Sequence, residues 1–374
     1  MPRRGENIFH RKDGRWEARY VKEITNDNKK VYGSVYAKTY KEVKLKRDRI
    51  CVALANGNLV ISKDTLGFYI RQWLKFHKVR FKISTYVKYY SVVDNYLLPY
   101  FDKIPLKDLS SRHIDAFTNS LLTKGKNGNP LSSKTVKDIL LILKNVFKFI
   151  QTEYNININI NIVYPHNPKK ESRILTKAEF INLNNVLLQD IDPCKFGVLI
   201  AMATGIRIGE LCALKWGNIN LDEDYLYIEK TMQRIKNLEG NGPKTIIIEQ
   251  SPKSATSIRK IPIPKNLIPL FKKFKQNDDC YLLTGKPDKF IEPRALEKKF
   301  KRYIKLAEIE SANFHMLRHT FATLCIEEGF EIKCLSEILG HSGSQITLDR
   351  YVHSSFKSKK DWIDKFASIN ISSH

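Results

Sequence analysis

Acidic residues are what this chain is short of: 39 Asp+Glu stand against 64 Lys+Arg, leaving a formal net charge of +25 over 374 residues. Such an excess costs self-repulsion on folding, so it is kept for a polyanionic partner, and nucleic acid is the expected one. A merely solvated basic surface accounts for a few units of charge, not for 25. Long apolar runs are also missing. No stretch approaches the ~18 uninterrupted apolar residues of a membrane span. The opening Met1-Pro2-Arg3-Arg4-Gly5 has no apolar segment behind it, so no secretory signal is expected. Cysteine pairing motifs are absent too. Cys51, Cys194, Cys212, Cys280, Cys325 and Cys334 stand far apart, with no C-x-x-C spacing for a metal knuckle or redox pair. Several lie in apolar, helix-like contexts such as Glu210-Leu211-Cys212-Ala213-Leu214, which predicts reduced core thiols in a cytoplasmic protein. No cluster of carboxylates suggests a metal, and none is expected.

What is present divides into blocks. A length of 374 suggests two or three domains at roughly 100–200 residues each, and 42 % hydrophobic residues are ample for real cores. Residues 1–57 are expected to form a small α+β unit, a three-stranded sheet with one helix. Asp13-Gly14 signals a turn, Trp16, Ala18 and Tyr20 alternate as on a strand, and Val31 to Tyr36 is a third strand. Thr39-Tyr40-Lys41-Glu42 is a capping box that opens a helix running to Gly57. This block carries 15 Lys+Arg and 7 Asp+Glu, an excess of 8. A small DNA reader and a merely basic unit fit that pattern equally.

Residues 62–168 read as an all-α bundle. Leu66, Tyr69, Ile70, Trp73 and Leu74 recur at helical spacing, as do Tyr86, Tyr89, Tyr90, Val93, Tyr96 and Leu97. Two more helices follow Ser110-Ser111 and Ser132-Ser133. The tyrosine stripe could stack on bases, but at this spacing it is expected in the core. Beyond it, Asn155-Ile156-Asn157-Ile158-Asn159-Ile160-Asn161-Ile162 fits a strand or a frayed helix end alike, and Pro165 to Lys170 looks like an interdomain linker. Residues 172–374 should form a mixed, mainly α domain with a small antiparallel sheet. Its elements are a helix opened by the capping box Thr176-Lys177-Ala178-Glu179, a buried helix from Phe196 to Ala203, strands over 225–231, 245–250 and 257–263, and helices from about Pro293 onward.

The chemistry-bearing residues all lie in this last block. They are Gly205-Ile206-Arg207-Ile208-Gly209-Glu210, then His315-Met316-Leu317-Arg318-His319, then Gly340-His341, and finally Tyr351. In-line attack on a phosphodiester builds negative charge on the nonbridging oxygens. Guanidiniums bind such oxygens bidentately and stay charged at any working pH. Arg207 sits in an otherwise apolar stretch, where an unpaired charge is expensive, and Glu210 at i+3 is the expected partner that positions it. A phenol with an ordinary pKa near 10 attacks only when its proton is removed or its oxyanion is met by positive charge. Composition cannot choose among 17 tyrosines; Tyr351 follows Gly340-His341 by a segment short enough for a C-terminal helix to swing its phenol toward the phosphate. His319 follows Arg318 directly, points about 100° away on a helix, and is expected to be structural, as His353 is expected to lie on the surface.

In these motifs and their order the sequence resembles the tyrosine recombinase family, in particular the integrases of lambda-like phages and conjugative transposons. The first block is similar to the arm-site-binding domain of such integrases, the second to their core-site-binding bundle, and the third to their catalytic domain. The resemblance implies a site-specific recombinase with Tyr351 as nucleophile, Arg207, Arg318, His315 and His341 on the phosphate, and a hairpin lysine as general acid. Lys253 matches that lysine best, with Lys244 and Lys260 as competitors. It further implies a 3′-phosphotyrosine intermediate, no cofactor, four protomers on two duplexes exchanging strands through a Holliday junction, and accessory factors such as an excisionase or a host DNA-bending protein. Trp362, Ile363 and Phe366 near the C-terminus would pack on a neighbouring protomer or on their own core. A type IB topoisomerase uses similar residues but rejoins the same strand, and the arm-like first block weighs against it. A non-enzymatic DNA-binding regulator would leave Arg207, His315, Arg318 and Tyr351 without a purpose.

Overall fold

The computed structural model describes residues 6–24, 30–55, 64–126, 128–166, 173–240, 242–252 and 255–351. The chain divides into two compact units, Met1–Lys169 and Lys170–His374. The boundary falls in the proline-containing stretch expected as a linker. The other expected boundary, between residues 57 and 62, lies outside the described residues.

The first unit begins with β1 (Ile8–His10), β2 (Trp16–Ile24) and β3 (Lys30–Ala37), an antiparallel sheet of order β1-β2-β3. The Asp13-Gly14 segment makes the first turn, with the Gly14 amide donating to the Arg11 carbonyl. Helix α1 (Tyr40–Ala55) covers the sheet, and the Thr39 hydroxyl accepts from the Glu42 amide at its start. Ile8, Ala18, Ala37 and Val43 form a small separate core. Strand parity decides what faces out: Phe9, Glu17 and Tyr36 lie opposite one another across the three strands, with Arg19 opposite Ser34.

The helical part of this unit comprises α2 (Leu66–His77), α3 (Ile83–Val92), α4 (Leu98–Phe101), α5 (Ser111–Thr123) and α6 (Ser133–Tyr154). One continuous second helix was expected. Instead a π-helical turn, Val93–Leu97, separates α3 from α4, and the Leu98 amide reaches back to the Val93 carbonyl. Pro99 follows at the start of α4. It has no N–H and its ring crowds the preceding turn, so the backbone widens there instead of breaking. Trp73, Phe101, Phe117, Ile139 and Leu143 fill the core, and Tyr86, Tyr89, Tyr90 and Tyr96 pack partly buried against it, as expected of a core stripe.

Asn155 ends α6 in the left-handed conformation, with φ of 53°. The segment after it is neither strand nor helix, which settles the alternative the alternation left open. It is a strap without regular hydrogen bonding, whose Ile156, Ile158, Ile160 and Ile162 pack against the bundle while the asparagines between them face out.

The second unit starts with α7 (Lys177–Leu188), α8 (Pro193–Thr204) and α9 (Ile208–Ala213). The capping box at α7 is complete, with Thr176 and Glu179 capping reciprocally. Helix α8 is largely apolar, with Phe196, Val198, Ile200 and Ala201 fully enclosed. Burying each large side chain stabilises by roughly 1.5–3 kcal/mol, so α8 anchors the domain. Strands β4 (Ile219–Asn220), β5 (Tyr225–Ile228), β6 (Thr231–Lys236), β7 (Thr245–Gln250) and β8 (Arg259–Pro262) follow. The single strand expected over 225–231 is in fact two, and they belong to different sheets: β4-β5-β8 and the hairpin β6-β7. Helices α10 (Ile268–Phe274), α11 (Pro293–Leu306), α12 (Phe314–Glu327), α13 (Ile332–Leu339) and α14 (Ser344–Tyr351) complete the described chain.

Cys194, Cys212, Cys280 and Cys325 are buried free thiols as expected, whereas Cys51 and Cys334 are exposed. Burial pushes the Cys325 thiol up to about 11, which keeps it protonated and inert. Among the described residues no helix is long and apolar enough to cross a membrane.

Candidate active site

The site assembles where α8, α9, α12 and α13 meet. Helix α8 stops at Gly205, whose φ of 65° is one an L side chain rarely adopts. A Cβ there would also lie 2.7 Å from the Phe321 ring and 2.9 Å from Leu339. The sharp stop leaves the Gly205 carbonyl pointing at α12 and delivers Arg207 to the N-cap of α9.

Arg207 is held at both ends. Its backbone amide donates to Glu210 Oε2 at 3.1 Å and its Nη1 to Glu210 Oε1 at 2.8 Å, which places the expected i,i+3 partner where the spacing put it. Its Nη2 donates to the Gly340 carbonyl at 3.2 Å. The side chain keeps about a third of its surface exposed (34 %), so a further ligand can reach the guanidinium.

Arg318, from the second turn of α12, is one of the largest fully buried side chains of the described chain, at 2 % exposure. Its guanidinium donates to the Gly205 carbonyl at 2.9 Å, to the Leu339 carbonyl at 2.6 Å and to His341 Nε2 at 2.9 Å. Because a guanidinium can only donate, Nε2 accepts; the Nδ1 proton then goes to the Thr347 hydroxyl, 2.9 Å away in α14.

A third arginine completes the cluster. Arg259 opens β8 at 8 % exposure and forks onto the same Glu210, with Nη2–Oε2 at 2.9 Å and Nη1–Oε1 at 3.3 Å. Its Nε donates to the Ile338 carbonyl at 2.5 Å. The consecutive carbonyls of Ile338, Leu339 and Gly340 are therefore held by Arg259, Arg318 and Arg207 in turn. These are end-of-helix carbonyls of α13, which lack intrahelical partners and carry the negative end of the helix dipole. Burial alone would raise the Glu210 carboxyl, but the Arg259 and Arg207 guanidiniums outweigh it and hold it below the usual carboxylate range.

Arg207, Glu210, Arg318 and His341 thus come together. His315 lies on α12 one turn before Arg318, exposed, with its ring edge-on to His319 at 4.5 Å between centroids. His319 lies directly beside a candidate site residue, one turn along from it. Tyr351 ends α14, four residues after Thr347, and the placement of its side chain is not described. Lys253, Trp362, Ile363 and Phe366 lie outside the described residues, as does His353. Of the competing lysines, Lys260 is exposed, its Nζ over the Tyr225 ring and 3.7 Å from Glu223, and the Lys244 carbonyl accepts from the Asn237 amide at the end of the β6-β7 hairpin. Arg259 was not singled out by the sequence. The available signal was parity: it shares the inward face of β8 with Ile261, where a charge needs a partner.

Fold and cluster together define a class: a mainly helical domain built on an arginine cluster, preceded in sequence by a helical bundle. Residues 173–358 match the phage integrase family, and residues 65–122 match the N-terminal SAM-like domain of phage integrases. The chain is 31 % identical over 369 residues to a XerC-like tyrosine recombinase of Caldanaerobacter subterraneus, covering 90 % of this chain and 91 % of the relative. It belongs to the tyrosine recombinase family. The ICEBs1 integrase of Bacillus subtilis is 25 % identical over 74 % of this chain and 76 % of its own. Among solved structures, the Tn1549 transposon integrase in complex with a circular intermediate DNA superposes with a TM-score of 0.67 at 18 % identity, over 81 % of this chain and 100 % of its own. A lambda integrase tetramer bound to a Holliday junction gives 0.56 at 19 % identity, over 95 % and 99 %. At these identities the superpositions establish the shared fold.

Proposed function

We propose that this chain is an integrase that inserts and excises a mobile element or prophage by site-specific cleavage and rejoining of DNA. Tyr351 Oη attacks a backbone phosphorus, forming a 3′-phosphotyrosine as the bond to the 5′-oxygen breaks. The tyrosine proton leaves to a nearby base, and the 5′-oxygen takes a proton from Lys253 acting as general acid. A 5′-hydroxyl of the partner strand then reverses the step, so the bond energy is conserved and the chemistry requires no cofactor. Arg207 and Arg318 neutralise the nonbridging oxygens, His315 and His341 hydrogen-bond the phosphate or help shuttle protons, and Glu210 positions Arg207. The observation that carries this reading is the convergence of Arg207 and Arg318 on adjacent carbonyls, Gly340 and Leu339, with His341 beside them. Preorganised cations of this kind act on transition-state charge without reorganising at the moment of reaction.

The division of labour follows the three expected domains: residues 1–57 on arm sites, 62–168 on core sites and 172–374 on chemistry, with four protomers assembling on DNA and an excisionase or bending protein directing the outcome. The first domain offers a fitting surface. Arg19 lies over the Phe9 ring at 5.3 Å, and Arg11 and Arg15 lie over Tyr36 at 5.5 and 5.6 Å, on a face where Phe9, Tyr32 and Tyr36 are exposed. Guanidiniums ordered on aromatic faces suit phosphates and base edges alike.

Incubation with a nicked candidate attachment-site duplex, followed by denaturing electrophoresis, tests the chemistry. A protein–DNA adduct is expected from the wild type and none from Tyr351→Phe. An adduct that persists in Tyr351→Phe would show that another residue is the nucleophile.

A further inference from the structure

We infer that Arg259 is a positioning residue for DNA cleavage, which shares Glu210 with Arg207 and so leaves the Arg207 guanidinium available to the phosphate; this rests on the recombinase reading above. A carboxylate offers about four acceptor positions, and Glu210 has four donors on them: the Arg207 amide, Arg207 Nη1, and Arg259 Nη1 and Nη2. Arg207 therefore meets Glu210 through one side-chain nitrogen rather than through a fork. Without Arg259, two positions on a buried carboxylate fall vacant, and the adjacent guanidinium is the group able to fill them. A bidentate Arg207–Glu210 pair is the stronger arrangement. It would turn Arg207 toward α9 and away from the Gly340 carbonyl, lowering the positive charge available to an incoming phosphate.

The second contact acts on the opposite wall. Arg259 Nε holds the Ile338 carbonyl, and the Gly340 Cα faces the same guanidinium so closely that a Cβ would lie 3.0 Å from Nη1. His341 follows directly, with its Nε2 on Arg318. One arginine at the head of β8 thereby fixes both the carboxylate that orients Arg207 and the chain segment that presents His341.

The test compares two substrates. One is a nicked duplex with an ordinary scissile phosphate; the other carries a methylphosphonate there, which removes the negative charge that Arg207 neutralises. With the ordinary phosphate, Arg259→Met should form adduct about 10- to 100-fold more slowly than wild type, the range seen when an outer residue that orients a reacting group is lost, while DNA affinity in a gel-shift assay stays within about threefold. With the methylphosphonate, the variant should fall to within about threefold of wild type on the same substrate, because a defect transmitted through Arg207 loses its target when the charge is gone. Should Arg259→Met fail to fold, Arg259→Lys keeps the buried charge without the fork and goes through the same comparison. Equal losses on both substrates, or no loss on either, would overturn the proposal. Absence of any adduct from the wild type would overturn the recombinase reading instead.

Discussion

Glu210 is one negative charge between two guanidiniums, and its side chain is 3 % exposed. Its folded-state acidity lies below the ordinary value of 4.5 because Arg259 and Arg207 outweigh the burial that opposes ionisation. A depressed folded value makes the stabilisation fully present above the ordinary carboxylate range and removes it as pH falls through the lowered value. In Glu210→Gln the acid-dependent part should vanish, so the stability gap between wild type and variant is constant at neutral pH and closes below pH 4.5. At neutral pH the gap should be about 3–5 kcal/mol, the cost of stranding a buried ion-pair partner, measured by urea unfolding across pH. A gap independent of pH would mean that folding does not shift the acidity of this carboxyl. Arg207, Glu210, Arg318 and His341 were legible in the sequence because each sits in a short motif whose chemistry is specific. Arg259 was not, because it stands in Ser257-Ile258-Arg259-Lys260 as one basic residue next to another. Only the fold reveals that Arg259 turns inward while Lys260 turns to solvent.

Elements were legible where periodicity and caps agree, as at Thr176–Glu179, and illegible where a pattern fixes the facing but not the pairing. The isoleucine–asparagine alternation after α6 correctly marks which side chains meet the bundle, but alternation carries no information on whether a neighbouring strand exists to accept the hydrogen bonds. The local event that decides the strap is the left-handed turn at Asn155, φ 53°. Asparagine tolerates that region and alanine does not, by roughly 1–2 kcal/mol. Asn155→Ala should therefore raise amide exchange in the last turn of α6 and along 156–162, whereas Asn155→Gly should leave it unchanged or slower. Equal exchange in both variants would show that the turn does not hold the strap. The π turn ahead of Pro99 and the break between β5 and β6 escaped the sequence for a related reason: each redirects the backbone without interrupting the apolar pattern.

At the scale of the molecule, the charge of +25 predicted a polyanionic partner without saying which surface meets it. The outer face of the N-terminal sheet gives that charge a shape. Glu17 is nearly buried among Arg11, Arg19 and Ser34, whose hydrogen bonds bring its carboxyl down to about 2. A carboxylate held this way orders two arginines that would otherwise sample many rotamers. If these residues and Arg15 meet DNA phosphates, each releases condensed counterions and adds about 0.9 to the slope of log affinity against log salt. Replacing Arg11, Arg15 and Arg19 by Ala, with Glu17→Gln so that no carboxylate is stranded, lowers the formal charge from +25 to 25 − 3 + 1 = +23. That change is too small to alter binding through the overall field. Removed from phosphates, however, the three arginines should reduce the salt slope on a long duplex taken from the attachment region by about 2–3. Adduct formation on the short nicked core duplex should stay within about twofold of wild type, as expected of residues that would serve a separate DNA site and act only by holding the protein nearby. An unchanged slope would take the sheet off the DNA, and a parallel loss of core cleavage would place it at the crossover site instead.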